Sequence, residues 1–338
     1  MSLEKLRKLK SVQDSILTEV EEQEFISTGV ATLNILFGGG IDRGIPVGRV
    51  SMIAADSSLG KSFVGLKIAK NAQAKGKSVI LFDAEKAYST AMADNLGINK
   101  DEILVIQNTS VEEVSTQFMN IVEEIKENIK DYVFIIDSWN VLVTSKSVDD
   151  ISAGKDVVDM TGAKKKNTLA KLLLNSNATV FIINQIYNSL DAFAPMGGEI
   201  PGGRGVFFSS SSIVQGISKA KQKESDGEIT GAIVTAITRK GRFSREHSKL
   251  KYLINYEGGI NAYYGLLDFA LETGYVEKPS NGFYTRPCVE NDKKWREKEI
   301  YNKEFWTPIF KETDFKLSVE KAFSFKHNEI NDDNIEIW

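Results

Sequence analysis

The chain has 338 residues, 42% apolar and 26% charged, an ordinary globular composition that supplies one large core and a smaller appendage. Its net charge of −4 argues weakly against a polyanion partner until the distribution of the charges is considered. One cysteine, Cys288, cannot form an intramolecular disulfide, and two distant histidines, His247 and His327, give no zinc spacing and argue against His-dependent hydrolytic triads.

From Met1 to Lys10, Lys and Arg alternate with Leu and no apolar h-region follows, so no secretory signal is expected. No stretch approaches a spanning helix, and the expected address is the cytoplasm, or the nucleoid within it. Leu3, Leu6, Leu9, Val12, Ile16 and Val20 fall at helical spacing, which predicts an amphipathic helix and an acidic link over residues 1 to about 24. That helix has no core of its own, so its apolar stripe is expected to dock on a neighbouring copy of the chain.

From about 25 to 262, strand-like and helix-like runs alternate. Arg49–Ala54, a helix from Lys61 to Lys75, Ser78–Ala84, a helix, Ile103–Gln107, a helix over Val111–Ile129, Tyr132–Ser138, a helix at about Val157–Leu174 and Ala178–Gln185 follow one another. That order predicts an α/β fold with a twisted, mostly parallel sheet and helices on both faces. Ser212–Lys219, Ala232–Arg239 and Leu250–Tyr256 lack long helices between them and predict antiparallel additions at one edge. Over 263–338 the pattern changes to short helices and aromatic-rich turns, with Trp295, Trp306 and Trp338, which reads as a small second α/β domain.

Between the first strand and its helix stand Ala55, Asp56, Ser57, Ser58, Leu59, Gly60, Lys61 and Ser62, which read as a phosphate-binding loop. In such a loop successive backbone N–H groups wrap the phosphates, the Lys reaches the β and γ groups, and the Ser hydroxyl coordinates Mg²⁺. The following helix faces the anion with its positive end. Ala55 stands where the pattern usually has Gly, so the turn must use a conformation open to alanine or deform slightly. Taken alone, the motif is also compatible with a polar strand-to-helix turn.

A nucleotide-hydrolysing loop needs one acid near Mg²⁺ and another carboxylate to orient water. Asp137 ends the apolar run Tyr132–Ile136, and Glu85 closes the run Ser78–Ala84, so both emerge at the carboxyl edge of the sheet, where open α/β sheets bind ligands. Either acid by itself is equally a solvated loop carboxylate. Together with the loop they make three hits at three strand ends.

Basic residues concentrate in Lys164, Lys165, Lys166 and Lys171, in Lys219, Lys221 and Lys223, and in Arg239, Lys240, Arg242, Arg245, Lys249 and Lys251. One such cluster is usually a solvated face, while several in loops beside a phosphate-binding turn favour nucleic acid. Ser145–Lys155 and Ile186–Gly205 fit neither strand nor helix. The second is tied to the strand ending in Asn184 and Gln185, and a loop so long in a compact domain is usually functional. Single strands are gripped by cationic grooves and aromatic groups. Lys164, Lys165, Lys166 and Arg204 offer charge, while Tyr187 and Phe193 offer rings that could equally pack beneath the loop.

The stretches Ala55–Ser62, Phe82–Glu85, Asn95–Gly97, Phe134–Ser138, Ile182–Gln185, Gly202–Gly203, Tyr256–Asn261 and Tyr264–Gly274 make the chain resemble the RecA-type recombinases over nearly its whole length. It is more closely similar to the UvsX recombinases of T-even-like phages. The resemblance implies that Lys61 and Ser62 are the phosphate and Mg²⁺ ligands, Asp137 the Walker B acid, Glu85 the water-activating carboxylate and Gln185 a γ-phosphate sensor. It implies two DNA-binding loops, near 144–166 and 186–205, the second including Gly202 and Gly203. Lys240 and Arg242 resemble a basic pair that reaches the neighbouring subunit's ATP. Phe63 adjoins the nucleotide, Met92 occupies the place of an adenine-stacking Tyr, and Tyr256 is a second candidate for that aromatic face.

What the resemblance implies is therefore a DNA-dependent ATPase with ATP and Mg²⁺ as cofactors, forming helical filaments on single-stranded DNA and pairing it with homologous duplex. Its other implied partners are further copies of itself and single-strand-binding and mediator proteins. Two alternatives share the core: a ring helicase or related motor, and a non-hydrolysing paralogue that binds ATP to mediate assembly. Retention of Glu85 speaks against the last.

Overall fold

The computed structural model describes residues 22–153, 161–187, 198–223 and 227–325. The expected N-terminal helix, Phe193 and Trp338 lie outside the described residues.

A short antiparallel ladder pairs β1 (Phe25–Ile26) with β2 (Ile45–Pro46), and between them runs α1 (Ala31–Gly38), buried at every residue. The sheet follows. β3 (Val50–Ala55), β4 (Ser78–Asp83), β6 (Tyr132–Asp137) and β7 (Thr179–Gln185) are short apolar runs buried almost throughout, as parallel strands covered on both faces must be. With β5 (Ile103–Ile106), β8 (Ser212–Lys223), β9 (Ile229–Gly241), β10 (Lys249–Asn255) and β11 (Gly259–Ile260), they form a nine-stranded sheet in the order β11-β10-β9-β8-β3-β7-β6-β4-β5. The strands from β8 to β5 in that order are parallel, and the antiparallel additions begin one strand later than expected, at β9.

Helix α2 (Lys61–Gln73) leaves the phosphate-binding loop, followed by α3 (Thr90–Leu96), α4 (Val111–Glu124), α5 (Ser145–Ser152), α6 (Gly162–Asn175) and α7 (Arg204–Ser209). Three of these correct the sequence reading. Helix α4 stops at Glu124, before a separate 3₁₀ turn over Lys126–Asp131. Helix α5 lies where neither helix nor strand was expected. Thr144 Oγ1 accepts the N–H of Ser147 at 3.1 Å and Glu112 Oε2 accepts that of Ser145 at 3.1 Å, so its first turn is capped by residues outside it. Arg204, expected at the end of an irregular segment, opens α7, while Lys164, Lys165 and Lys166 ride on α6, inside the helix expected at about Val157–Leu174.

Each face of the sheet has its own core. On one side Leu33, Phe37, Val64, Ile68, Leu81, Ile135 and Phe181 pack together; on the other, Phe82, Phe118, Phe134, Trp139, Leu169 and Ile182. A third cluster joins Ala31, Ile35 and Ile41 to Leu266, Trp306, Ile309 and Phe315, which seats the C-terminal unit on α1. That unit comprises α8 (Leu267–Glu272), the three-stranded sheet of β12 (Glu277–Ser280), β13 (Phe283–Thr285) and β14 (Trp295–Arg296), α9 (Lys303–Glu312) and α10 (Phe315–Phe323). Among the described residues, no helix is long and apolar enough to cross a membrane.

Candidate active site

Strand β3 delivers Ala55 to the carboxyl edge of the sheet, in register with Gln185 of β7. Ala55 keeps its place in the strand, and an added Cβ on Gly216 of β8 would lie 3.0 Å from the Ala55 Cβ, so the methyl group fills space that Gly216 leaves. The expected deformation of the turn is not required. Left-handed backbone falls instead on Ser58 (φ 59°) and Gly60 (φ 72°), the latter capping α2. Ser57 N–H donates to Asp56 Oδ1 at 2.8 Å, and Lys61 Nζ donates to the Asp56 carbonyl at 2.8 Å. Burial lowers the pKa of Lys61, while Glu85, Asp137 and Asp56 act in the opposite direction.

A cavity of about 250 Å³ is lined by Ser57, Ser58, Gly60, Lys61, Ser62, Phe63, Glu85, Asp137 and Gln185. Every side chain expected to act on the phosphates therefore faces one space. A neighbouring cavity of about 410 Å³ shares Gly60 and Phe63 and is lined by Met92, Asn95, Leu96, Tyr256 and the 257–260 turn. Phe63, Met92 and Tyr256 thus meet around a second, more apolar pocket, of a size and character that suit a base.

Asp137 is buried, and its Oδ1 has no hydrogen-bond partner among the described residues. Burial, aided by Glu85 and Asp83, pushes its carboxyl up to about 6, against the opposing effects of the Ser62 hydroxyl and Lys61. An unpartnered buried carboxylate oxygen beside a serine hydroxyl is a fitting donor set for Mg²⁺, which draws its remaining ligands from phosphate and water. Glu85, by contrast, is exposed on the turn after β4. Its Oε1 accepts from Ser138 Oγ at 2.6 Å and from Gln185 Nε2 at 2.9 Å.

Ser138 escaped the sequence reading except as the residue after Asp137. Asp83 escaped it too, although β4 and β6 pair Asp83 directly with Asp137. Its buried carboxylate accepts from Ala87 N–H at 3.0 Å, Tyr88 N–H at 3.1 Å and Gln107 Nε2 at 3.2 Å.

The segment after Asp137 reaches the expected DNA-binding loops. Trp139 is buried and its Nε1 donates to the Gly202 carbonyl at 3.4 Å; a Cβ on Gly202 would come within 2.5 Å of the indole, so only glycine fits. Asn140 Nδ2 donates to the Tyr187 hydroxyl at 2.8 Å, and Tyr187 and Glu199 exchange backbone hydrogen bonds at 3.1 and 3.0 Å. A cavity of about 360 Å³ between these segments is lined by Asn140, Ser147, Lys166, Gly202 and Gly203. Lys165 pairs with Glu112 at 2.6 Å, and Lys166, its pKa lowered by burial, donates to the Asn140 carbonyl at 3.2 Å. Lys164 and Arg204 are exposed.

Lys240 and Arg242 are not brought to this cavity. Lys240 is in register with Ile213, beside Ser212, which pairs with Ser51 near the start of β3, so both residues lie at the sheet edge opposite the phosphate-binding loop. Lys240 Nζ donates to the Phe207 and Phe208 carbonyls at 3.0 and 2.8 Å, capping α7.

A phosphate-binding turn, strand-end carboxylates on neighbouring parallel strands and antiparallel strands along one edge define a nucleotide-binding α/β core of the RecA type. The chain belongs to the RecA family: residues 5–261 match the RecA N-terminal domain. Residues 263–319 match the C-terminal domain of the bacteriophage T4 recombination and repair protein. The chain is 28% identical over 316 residues to the recombination and repair protein of Enterobacteria phage T4, covering 89% of this chain and 79% of that one. It is 29% identical over 259 residues to protein RecA of Ruminococcus albus, covering 75% and 63% respectively. With protein RecA of Chlorobium limicola it shares 29% identity over 267 residues, 78% of this chain and 74% of the relative.

Proposed function

We propose that the chain is a homologous-recombination protein that assembles on single-stranded DNA, aligns it with homologous duplex, exchanges strands, and hydrolyses ATP when DNA is bound. The observation that carries this reading is the double hydrogen bond to Glu85 Oε1. The acid that faces the phosphate cavity is gripped by Ser138, which precedes the Trp139 and Asn140 contacts, and by Gln185, which opens the 186–205 loop.

In this reading the backbone N–H groups of Ser57 to Ser62 and the Lys61 ammonium hold the β- and γ-phosphates. Ser62 and Asp137 hold Mg²⁺, which when bound neutralises charge on the phosphates. With Oε1 occupied, Glu85 has Oε2 to orient the attacking water. Gln185 exchanges Glu85 for the γ-phosphate and carries the loop with it, an ordering of a segment by nucleotide. Lys240 and Arg242, on the far edge, contact the ATP of an adjacent protomer, so nucleotide becomes part of the polymer contact. Lys164, Lys165, Lys166 and Arg204 meet DNA phosphates, with Tyr187 as a ring for a base. Residues 1–24 dock on a neighbouring protomer; normal filament length after their deletion would refute that part.

The deciding experiment is ATP turnover with and without single-stranded DNA, read beside negative-stain images. Strong stimulation with helical fibres supports the proposal. Closed six-membered rings on DNA would favour a motor, and ATP binding without turnover would favour an assembly mediator.

A further inference from the structure

Asp83 is 1% exposed, and none of the roles above uses its carboxylate. The turn that carries Glu85 has no regular secondary structure, and Lys86 within it takes a left-handed φ of 54°. Such a segment keeps one conformation only if its backbone groups find partners outside it. From Ala84 to Tyr88 every backbone N–H is accepted by one of two residues. The Asp137 carbonyl takes Ala84 at 2.6 Å and Glu85 at 3.2 Å, and the Asp83 carbonyl takes Lys86 at 3.4 Å. The Asp83 carboxylate takes Ala87 and Tyr88, one on each oxygen. Gln107 Nε2, from the residue after β5, fixes that carboxylate in turn. A neutral side chain at 83 would spare Asp137 a like charge, and the folded turn is what the carboxylate supplies instead.

We propose that Asp83 is a positioning residue for ATP hydrolysis: its carboxylate folds the 84–88 turn and so fixes where Glu85 can hold the attacking water. This rests on the reading of Glu85 as the water-orienting acid. Asn at 83 keeps the shape but turns an NH₂ group toward one of the N–H donors, leaving that donor unaccepted.

The test compares full-length D83N, E85Q and D83N/E85Q by single-turnover hydrolysis and by binding of a non-hydrolysable ATP analogue. D83N is expected to lower kcat by about tenfold or more at an analogue Kd within about threefold of the parent, since small displacements of a reacting group cost rate rather than affinity. In the E85Q background D83N should lower the residual rate no further. Parental kcat in D83N with a dead E85Q overturns the role of Asp83 alone, as does an equal further loss in the double variant. Parental turnover in E85Q overturns the Glu85 reading and this inference with it. If D83N does not fold, Gln107→Leu removes one of the carboxylate's three donors. A several-fold lower kcat at unchanged analogue affinity then supports the inference, and unchanged kcat overturns it.

Discussion

Gln185 Nε2 lies 2.9 Å from Glu85 Oε1, so the residue that opens the 186–205 loop touches the acid facing the cavity beside Lys61 and Ser62. Two different losses follow from cutting this contact at its two ends. Glu85→Gln should lower turnover by about 10² or more while ATP binding persists, because a positioned acid–base group is worth that much in rate. Gln185→Ala should bring the ratio of DNA-stimulated to unstimulated turnover toward one. Full stimulation in Gln185→Ala would remove it from the link between loop and nucleotide.

Asp137 makes the empty cavity costly. Its carboxyl is pushed up to about 6 from an ordinary value of 3.8. Between those values the folded chain keeps a proton that the unfolded chain releases, so stability is lost as pH rises from about 4 to about 6. The loss approaches about 3 kcal/mol at neutral pH. Asp137→Asn is therefore expected to raise the Tm of the nucleotide-free chain at pH 7.5, with the gain shrinking toward pH 4. It should also abolish the extra stabilisation by Mg²⁺ with ATP. Thermal melts across that range check both, and a gain independent of pH would contradict the assignment.

The parts of this site that were legible in the sequence are those set by neighbours along the chain. Lys61 and Ser62 follow a strand and open a helix, and Asp137 and Glu85 close apolar runs, so local pattern placed all four at one edge. The compensation of Ala55 by Gly216 was not legible, because it joins strands far apart in sequence that meet only through the β3–β8 pairing. Helix α5 was missed because its capping comes from Thr144 and from Glu112 of another helix, while its eight residues are too few for periodicity to speak. Asp83 read as one more strand residue; its importance comes from the fold of the turn after it.

Lys165 and Glu112 form a half-exposed pair, and such pairs are worth about 0–1 kcal/mol, little enough for a DNA phosphate to displace the carboxylate. Glu112→Gln is expected to tighten single-stranded DNA binding by up to about fivefold. Lys165→Ala should weaken it and flatten the dependence of log affinity on log salt by about 0.7. In the Lys165→Ala background Glu112→Gln should do nothing. Fluorescence anisotropy over a salt series reads all three, and an undiminished Glu112→Gln effect there would mean that Glu112 acts elsewhere.

Arg286 and Asp292 hold the C-terminal unit from within. Both side chains are almost fully buried, and the guanidinium grips the carboxylate with Nε at 3.0 Å and Nη2 at 2.6 Å. Its Nη1 donates to the Glu304 and Phe305 carbonyls at 3.0 Å each, and its Cζ lies over the Trp295 ring, 4.7 Å from the centroid. Burial acts to raise the Asp292 carboxyl, but the bonds from Arg286 and Trp295 outweigh it and hold the group below its usual range. Arg286→Met would leave that charge buried and unpaired, at a cost of about 3–5 kcal/mol. Arg286→Lys should recover little, since an ammonium offers neither the fork nor the stacking plane. Arg286→Met with Asp292→Leu should recover most of the loss, because removing both partners leaves no orphaned charge. Denaturation followed by Trp fluorescence gives the three values; a double variant as unstable as Arg286→Met would show that the aromatic stack, not the charge pair, carries the stability.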